Sequence, residues 1–237
     1  MKQIICGLDE AGRGPLAGPV TAGAVILPPD FSFEIWNVSK KLSKKKRIQA
    51  EAIIKEKALW GLGIIDHEII DKVNILQASM LAMKNAFDMM MYKFDRWVID
   101  NNLDNSVYNR DNILGIADGT FVPEVSCNCK CEPKADGKYP EVMAASIIAK
   151  VARDSIMTEY DVLYPEYGYK KHKGYPTAAH REICHKIGPS PIQRLSFKYW
   201  FNMYIKKGEQ NIVHLFYIIN YLSSFLVSFF ALSSSVM

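Results

Sequence analysis

Asp9 and Glu10 are adjacent carboxylates that follow a short apolar run, Ile4-Ile5-Cys6. Gly12-Arg13-Gly14 comes directly after them. Acidic pairs at strand ends are natural seats for hard divalent cations, which take oxygen ligands. Glycines beside an arginine let the backbone approach a phosphate or a sugar closely. Metal-binding acids next to a phosphate-binding base are the chemistry of phosphodiester cleavage. Two like charges side by side repel unless a cation or a base neutralises them. Arg13 as that base is the plain alternative to a metal.

Two further acids stand out by context. Asp118 closes the run Ile113-Leu114-Gly115-Ile116-Ala117 and precedes Gly119. Asp136 lies in Lys134-Ala135-Asp136-Gly137-Lys138, just ahead of a helical segment. A strand-end acid beside a glycine faces the mouth of a sheet, where ligands bind. Two Mg²⁺ or Mn²⁺ ions roughly 3.5–4 Å apart would need about this many carboxylates, several of them bridging. Taken singly, each acid has a structural alternative, because Asp-Gly is also a common turn. Neighbours on an ideal strand point to opposite faces. If Asp9 and Glu10 serve one cluster, the strand is expected to end or bulge there, with Gly12 and Gly14 allowing it.

The elements that must position these residues alternate along the chain. Strand-like runs cover 4–8, 20–27, 60–65, 96–100, 113–117 and 124–131. The short Gly18-Pro19 link between the first two favours an antiparallel pair. Leu76, Met80, Met83, Phe87 and Met90 recur at helical steps and predict a helix over 74–92, with the methionines as core filler. Further helices are expected over 43–59 from Ser43, over 140–161 from Pro140, and over 177–187 between Thr177 and Gly188. An antiparallel opening followed by alternation predicts an α/β fold, a mixed sheet flanked by helices with a helical C-terminal region. The polar, asparagine-rich segment 101–112 reads as an inserted surface loop.

Nearly half of the 237 residues are apolar, enough for a sizeable core. A net charge of +4 hints only mildly at a polyanion, but basic residues cluster at 40–47 and 170–173. The five cysteines are an odd number, and the short apolar stretch after Lys2 runs straight into charge, unlike a secretory signal. A reducing cytoplasm is the simplest compartment. Cys127, Cys129 and Cys131 alternate and so share one strand face; we expect core thiols rather than a zinc site, whose first pair is usually spaced wider. We expect one domain over 1–200 and an apolar extension over 201–237. The window Ile212 to Leu232 is long enough to span a bilayer, but its serines, asparagine and His214 count against an anchor.

Ordered motifs resemble the type 2 ribonucleases H, the ribonuclease HII family. They open with Gly7-Leu-Asp-Glu-Ala-Gly-Arg-Gly-Pro-Leu-Ala-Gly-Pro-Val20. They continue through Ser39-Lys40-Lys41-Leu42, Asn74-Ile75-Leu76-Gln77-Ala78, Asp118-Gly119 and Lys134-Ala-Asp-Gly-Lys138. Ala144-Ala-Ser-Ile-Ile-Ala-Lys-Val-Ala-Arg-Asp154, His172-Lys-Gly-Tyr-Pro-Thr177 and Gly188-Pro-Ser-Pro191 complete them. The resemblance covers about residues 3–198. It implies an endonuclease that cuts RNA in RNA–DNA hybrids and 5′ to ribonucleotides embedded in duplex DNA. It implies Asp9, Glu10, Asp118 and Asp136 as catalytic ligands of Mn²⁺ or Mg²⁺, with Asp9 shared between two ions. It also implies that Gly12, Arg13 and Gly14 read the ribose 2′-hydroxyl, the group that separates RNA from DNA at one nucleotide. Ser39, Lys40 and Lys41 match a phosphate-contacting turn. Tyr175 matches a tyrosine that packs on the next sugar, although an interface aromatic without a substrate role is its alternative.

Some residues depart from the family pattern or stay ambiguous. Val38 stands where an acid is common, and Gln193 where a histidine or arginine often precedes Arg-x-Ser-Phe. Lys44 to Arg47 read as a solvated helix face. Lys150 and Arg153 share a helix face and either support the site or bind backbone; Asp154 is an alternative ion-pair partner for them. His172, His180 and His185 do not form a metal set. A monomer is expected. A different nuclease of the same fold, a basic binding module without activity, and a protein tethered by its tail are the rival readings.

Overall fold

The structure is a computed structural model that describes residues 3–32 and 43–197 of the chain. Five strands form one sheet: β1 (Ile4–Ala11), β2 (Val20–Ile26), β3 (Leu59–Ile65), β4 (Ile113–Asp118) and β5 (Asn128–Glu132), in the order β3-β2-β1-β4-β5. β1 runs antiparallel to β2 and parallel to β4; β2–β3 is antiparallel and β4–β5 parallel. The mixed sheet expected from the antiparallel opening is therefore present, with β1 at its centre.

Helices cover both faces, and small residues set how closely they lie. The long helices are α2 (His67–Tyr92) and α4 (Pro140–Leu163). A Cβ on Gly61 or Gly63 would fall 2.0 Å from the Ala86 or Ala82 carbonyl oxygen of α2. On the other face, a Cβ on Gly7 or Gly23 would fall 2.1 Å from the Glu141 carbonyl carbon or 2.3 Å from the Ala145 carbonyl oxygen of α4. Leu8, Ala22, Ala24, Ile26, Met83 and Phe87 fill the layer under α2. Val25, Ala144, Ala145 and Ile148 fill the layer under α4, joined by Ile54 of α1 (Lys44–Lys57). Cys127, Cys129 and Cys131 pack half-buried against the α2 layer as free thiols.

Capping explains the helix boundaries. Ser43 accepts the Lys46 N–H at 3.3 Å and opens α1. Thr177 accepts the His180 N–H at 3.2 Å and opens α6 (Ala178–Ile187). Helix α2 begins earlier than its periodicity, because it holds a break at Asn74 (φ 71°). The Asn74 side chain there accepts the N–H groups of Leu76 and Gln77, so it caps the second segment from within. The apolar period starts afresh at that cap.

Two expectations need correction. The segment 96–100 is helical, inside α3 (Phe94–Asp100), not a strand. Its Trp97-Val98-Ile99 run favours strands locally, but Phe94 and Val98, four residues apart, are both buried, and tertiary packing decides. The last strand is short, Asn128–Glu132, rather than spanning 124–131. The loop 101–112 lies at the surface as expected, pinned by Tyr108 edge-on to Trp97 at 6.1 Å. The C-terminal part adds α5 (Tyr169–His172) and α6. No helix among the described residues is long and apolar enough to cross a membrane. Ser39, Lys40, Lys41, Val38 and the apolar extension 201–237 lie outside the described residues.

Candidate active site

The sheet brings Asp9 and Asp118 together through register. The parallel pairing of β1 with β4 ends at Leu8 and Ala117, so Asp9 and Asp118 are the next positions in step. In-register residues of neighbouring parallel strands share a face, with backbones about 4.8 Å apart. That face is the one covered by α4. Asp9 is buried, and its Oδ1 accepts the Glu10 N–H at 2.7 Å. Burial drives the Asp9 carboxyl well above its usual range, and the charges of Glu10 and Asp118 drive it further; the Ser146 hydroxyl of α4 opposes the shift.

The strand does not bulge at the acids. β1 keeps an unbroken antiparallel register with β2 out to Ala11 and Thr21. Thr21 locks this end by donating to the Ala149 carbonyl of α4 at 2.9 Å. Alternation therefore starts Glu10 on the other side of the strand from Asp9. Its longer side chain ends 3.3 Å from Arg13. Burial raises the Glu10 carboxyl, Arg13 pulls it back, and Asp118 is near enough to add to the rise. Arg13 thus neutralises Glu10, while Asp9 has no basic group among the causes of its shift.

Asp118 holds the backbone turn that carries Asp136, but no contact brings the Asp136 carboxyl to Asp9, Glu10 or Asp118 among the described residues. The Oδ1 of Asp118 accepts the Ala135 N–H at 2.8 Å. Ala135 is buried and opens the one-turn 3₁₀ segment Ala135–Gly137, on which Asp136 is exposed. Glu132 of β5 holds the next residues by accepting from Lys138 and from the Tyr139 hydroxyl. Among the described residues, no three His, Cys, Asp or Glu side chains close around a single ion position as they stand. The donor set is nonetheless right for a hard cation: oxygen only, acidic, and with a buried carboxylate whose charge the protein leaves poorly compensated.

The loop 12–19 follows the acids and joins β1 to β2. Gly12 has φ +108°, and a Cβ there would lie 2.2 Å from Arg153 Nε. Gly14 is different: its φ is ordinary, and a Cβ would meet only Tyr175 Cε1, at 3.6 Å. The half-exposed Tyr175 ring therefore stands beside Gly14. Lys150 Nζ lies 5.8 Å and Arg153 Cζ 5.9 Å from its centroid.

Two buried arginines organise this loop; Arg153 takes the supporting alternative weighed for it from the sequence, while sequence reasoning missed Arg194. Arg153 donates to the carbonyls of Pro19, Lys173 and Ala17 at 3.0, 3.0 and 3.1 Å. Arg194 donates to Gly18, Arg13, Pro15 and Pro19 at 2.8–3.2 Å. Burial pulls both guanidinium groups down, to about 10 and about 9, so both stay charged at neutral pH. A loop with prolines at 15 and 19 has few N–H donors of its own, and its buried carbonyls must find donors elsewhere. That demand was the available signal. Lys150 does not share the role of Arg153; it pairs with Asp154 at 2.7 Å. Gln193 is buried against His180 and Cys184 rather than placed to touch a phosphate.

A cavity of about 380 Å³ between α1 and α4, lined by Lys44, Arg47, Asp154 and Glu159 among others, contains none of the site acids. Lys44, Lys45 and Lys46 are solvent-exposed, as expected, while Arg47 turns toward Asp154 at 3.9 Å.

The architecture recurs in solved structures. Ribonuclease H2 from Pyrococcus horikoshii OT3 superposes with a TM-score of 0.59 at 22% identity, over 85% of this chain and 97% of that one. Bst-RNase HIII in complex with Mn²⁺ superposes at 0.55 and 18% identity, over 85% of this chain and 69% of that one. These likenesses define the fold as ribonuclease H-like. Ribonuclease HII of Treponema denticola is 48% identical over 199 residues, which cover 82% of this chain and 98% of the relative. The ribonuclease HII family model matches residues 6–200, and the chain belongs to that family. It is an endonuclease of RNA–DNA hybrids.

Proposed function

We propose that this chain cleaves the phosphodiester 5′ to a ribonucleotide, both in hybrids and at single ribonucleotides embedded in duplex DNA, with two divalent cations. Asp9, Glu10, Asp118 and Asp136 would hold Mn²⁺ or Mg²⁺, with Asp9 shared. Bound there, the ions would supply an activated water and neutralise charge on the departing oxygen. The observation that carries the reading is the in-register pair Asp9 and Asp118 at the end of the central parallel strands, with Asp9 buried and its charge disfavoured.

The chain's own residues divide the remaining work. Asp118 commits Oδ1 to the Ala135 N–H and so fixes both its own orientation and the turn that carries Asp136. Gly12, Arg13 and Gly14 present backbone to the ribose 2′-hydroxyl, and Gly14 keeps the gap beside Tyr175 open for it. Tyr175 packs on the following sugar and favours deoxyribose. Ser39, Lys40 and Lys41 grip backbone phosphate, which sets register without reading sequence. A water oxygen bonds to phosphorus as the P–O3′ bond breaks. The upstream strand leaves with a 3′-hydroxyl and the ribonucleotide keeps a 5′-phosphate.

The chemistry suits primer removal and ribonucleotide excision by a cytoplasmic monomer, with residues 1–200 as the catalytic domain and 201–237 as an appendage that needs no membrane. The deciding experiment incubates a duplex containing one ribonucleotide with Mn²⁺ or Mg²⁺ and maps the cut. A 5′ cut at the ribonucleotide is expected. No cation-dependent product, or equal cutting of all-DNA duplex, would refute the proposal. Fractionation of the full chain and of a 1–210 truncation tests the tail: equal recovery in the soluble fraction is expected.

A further inference from the structure

Behind Tyr175 lies a stacked pair of imidazoles, half-buried His172 and buried His180, with ring centroids 4.4 Å apart and planes inclined by 14°. Hydrogen bonding fixes which nitrogen carries the proton in each. His180 Nδ1 lies 3.0 Å from the Tyr175 carbonyl oxygen, which can only accept, so Nδ1 bears the hydrogen. Burial pulls the His180 ring down to about 4, so at neutral pH its Nε2 is a bare acceptor. Gln193 Nε2 donates to it at 3.1 Å and also lies 3.2 Å from Cys184 Sγ. His172 is the reverse. Its Nδ1 accepts the Gly174 N–H at 3.2 Å, and its Nε2 donates to the Tyr167 carbonyl at 2.8 Å. Two neutral rings in opposite tautomers are thereby stacked.

Several bonds from this pair converge on one exposed residue, Tyr175. The Tyr175 N–H donates to the His172 carbonyl at 2.9 Å. Its carbonyl accepts from both His180 and the Thr177 N–H. The preceding residue, Gly174, gives its N–H to the His172 ring and its carbonyl to the Leu16 N–H of the loop 12–19. Both peptide groups flanking the Tyr175 Cα are therefore fixed, and the ring is aimed from behind while its face stays open beside Gly14. The arrangement keeps one buried acceptor, Gln193 Oε1, without a partner among the described residues. Leaving such a group unpaired costs about 1–3 kcal/mol. Turning the amide over would satisfy it only by giving His180 the wrong tautomer for Tyr175.

We infer that His180, held in its Nδ1–H tautomer by Gln193 and stacked on His172, is a positioning residue for Tyr175 and so sets selectivity for single embedded ribonucleotides. The inference rests on the proposed role of Tyr175. Tyr169 and Cys184 are the other titratable groups packed against the pair, with Asp161 facing His172.

The test compares kcat and KM of the full chain with Mn²⁺ on a duplex carrying one ribonucleotide and on a continuous RNA–DNA hybrid. His180→Phe keeps a flat ring on His172 but loses both nitrogens. It should lower kcat on the single ribonucleotide about tenfold more than on the hybrid, with KM little changed. His180→Asn, whose amide can replace the Nδ1–H donor, should restore most of the loss. Gln193→Leu removes the unpaired oxygen but leaves His180 Nε2 without its donor, so it should fold about as well as the parent, and should show the same selective loss in milder form. Nitrogen-15 imidazole correlation spectra should show Nδ1–H for His180 and Nε2–H for His172, and Nε2–H on His180 overturns the inference. So does an unchanged substrate ratio in His180→Phe or, should that variant not fold, in Gln193→Leu, when Tyr175→Ala has lowered it. If Tyr175→Ala itself leaves the ratio unchanged, the role of Tyr175 falls first, and that of His180 falls with it.

Discussion

Asp9 and Asp118 sit one step beyond Leu8 and Ala117, the last paired residues of two parallel strands, and so share the face of the sheet that α4 covers. Asp9 carries the consequence. Its charge is disfavoured first by burial, then by Glu10, then by Asp118.

Removing that charge should stabilise the protein in the absence of cation. An acid whose pKa is raised on folding contributes nothing below its ordinary value of 3.8 and destabilises progressively as pH rises through its raised folded value. Asp9→Asn keeps an acceptor for the Glu10 N–H but has no charge. Cation-free Asp9→Asn should therefore be more stable than the parent at pH 7 by about 1–2 kcal/mol, with the advantage gone near pH 4. Thermal melts across pH measure this, and a variant less stable at pH 7 contradicts it.

Added Mn²⁺ or Mg²⁺ should reverse that order. A ligand bound by the native state alone stabilises it in proportion to RT ln(1 + [L]/Kd), so the parent's Tm should rise with cation and that of Asp9→Asn should barely move. Cleavage by the variant should fall by about a thousandfold or more, the equivalent of some 4 kcal/mol of lost transition-state stabilisation. Duplex binding should persist, because basic groups supply most of that affinity. Titration calorimetry, melts and single-turnover assays read the three effects separately.

Gly12 and Gly14 should respond in opposite ways to a methyl group. Gly12→Ala forces a side chain onto a positive φ and into Arg153, and should cost about 2 kcal/mol or more in denaturant unfolding. Gly14→Ala meets only ordinary contact with Tyr175, so its stability should change by less than about 0.5 kcal/mol. If substrate passes through that gap, its activity should nevertheless fall about tenfold. A fully active Gly14→Ala would remove Gly14 from the site.

Arg194 should be among the most sensitive positions for folding. Arg194→Met strips donors from the carbonyls of Arg13, Pro15, Gly18 and Pro19 and should destabilise by about 3 kcal/mol or more. Urea unfolding with an unchanged m value would give the figure. A loss under about 0.5 kcal/mol, the range of ordinary surface substitutions, would mean that the loop is held by other means.

Tyr175→Ala should slow cutting at a lone ribonucleotide about tenfold while leaving the fold intact, since the ring is half-exposed. Comparing its rates on the two substrates checks this directly.

Much was legible from residues near one another in the chain. Short apolar runs marked β1, β2, β3 and β4; Ser43, Thr177 and Pro140 marked helix starts; and the acids stood out because each follows an apolar run or precedes a helix. These signals are local, and local sterics and hydrogen bonding generate them. The helix at Phe94–Asp100 was not legible, because Trp97, Val98 and Ile99 favour strands locally while burial of Phe94 and Val98 overrides them.

The sequence by itself determined the acid types, the glycine-flanked arginine and the mixed α/β topology. Only the tertiary structure decided how they meet. Register between β1 and β4, strands more than a hundred residues apart in the chain, put Asp118 beside Asp9. Long-range satisfaction of buried carbonyls put Arg153 and Arg194 under the loop 12–19, although no spacing in the chain announces that they share it. Hydrogen-bond partners and close approach are properties of the folded chain, since a buried polar group takes whichever donor the packing brings to it.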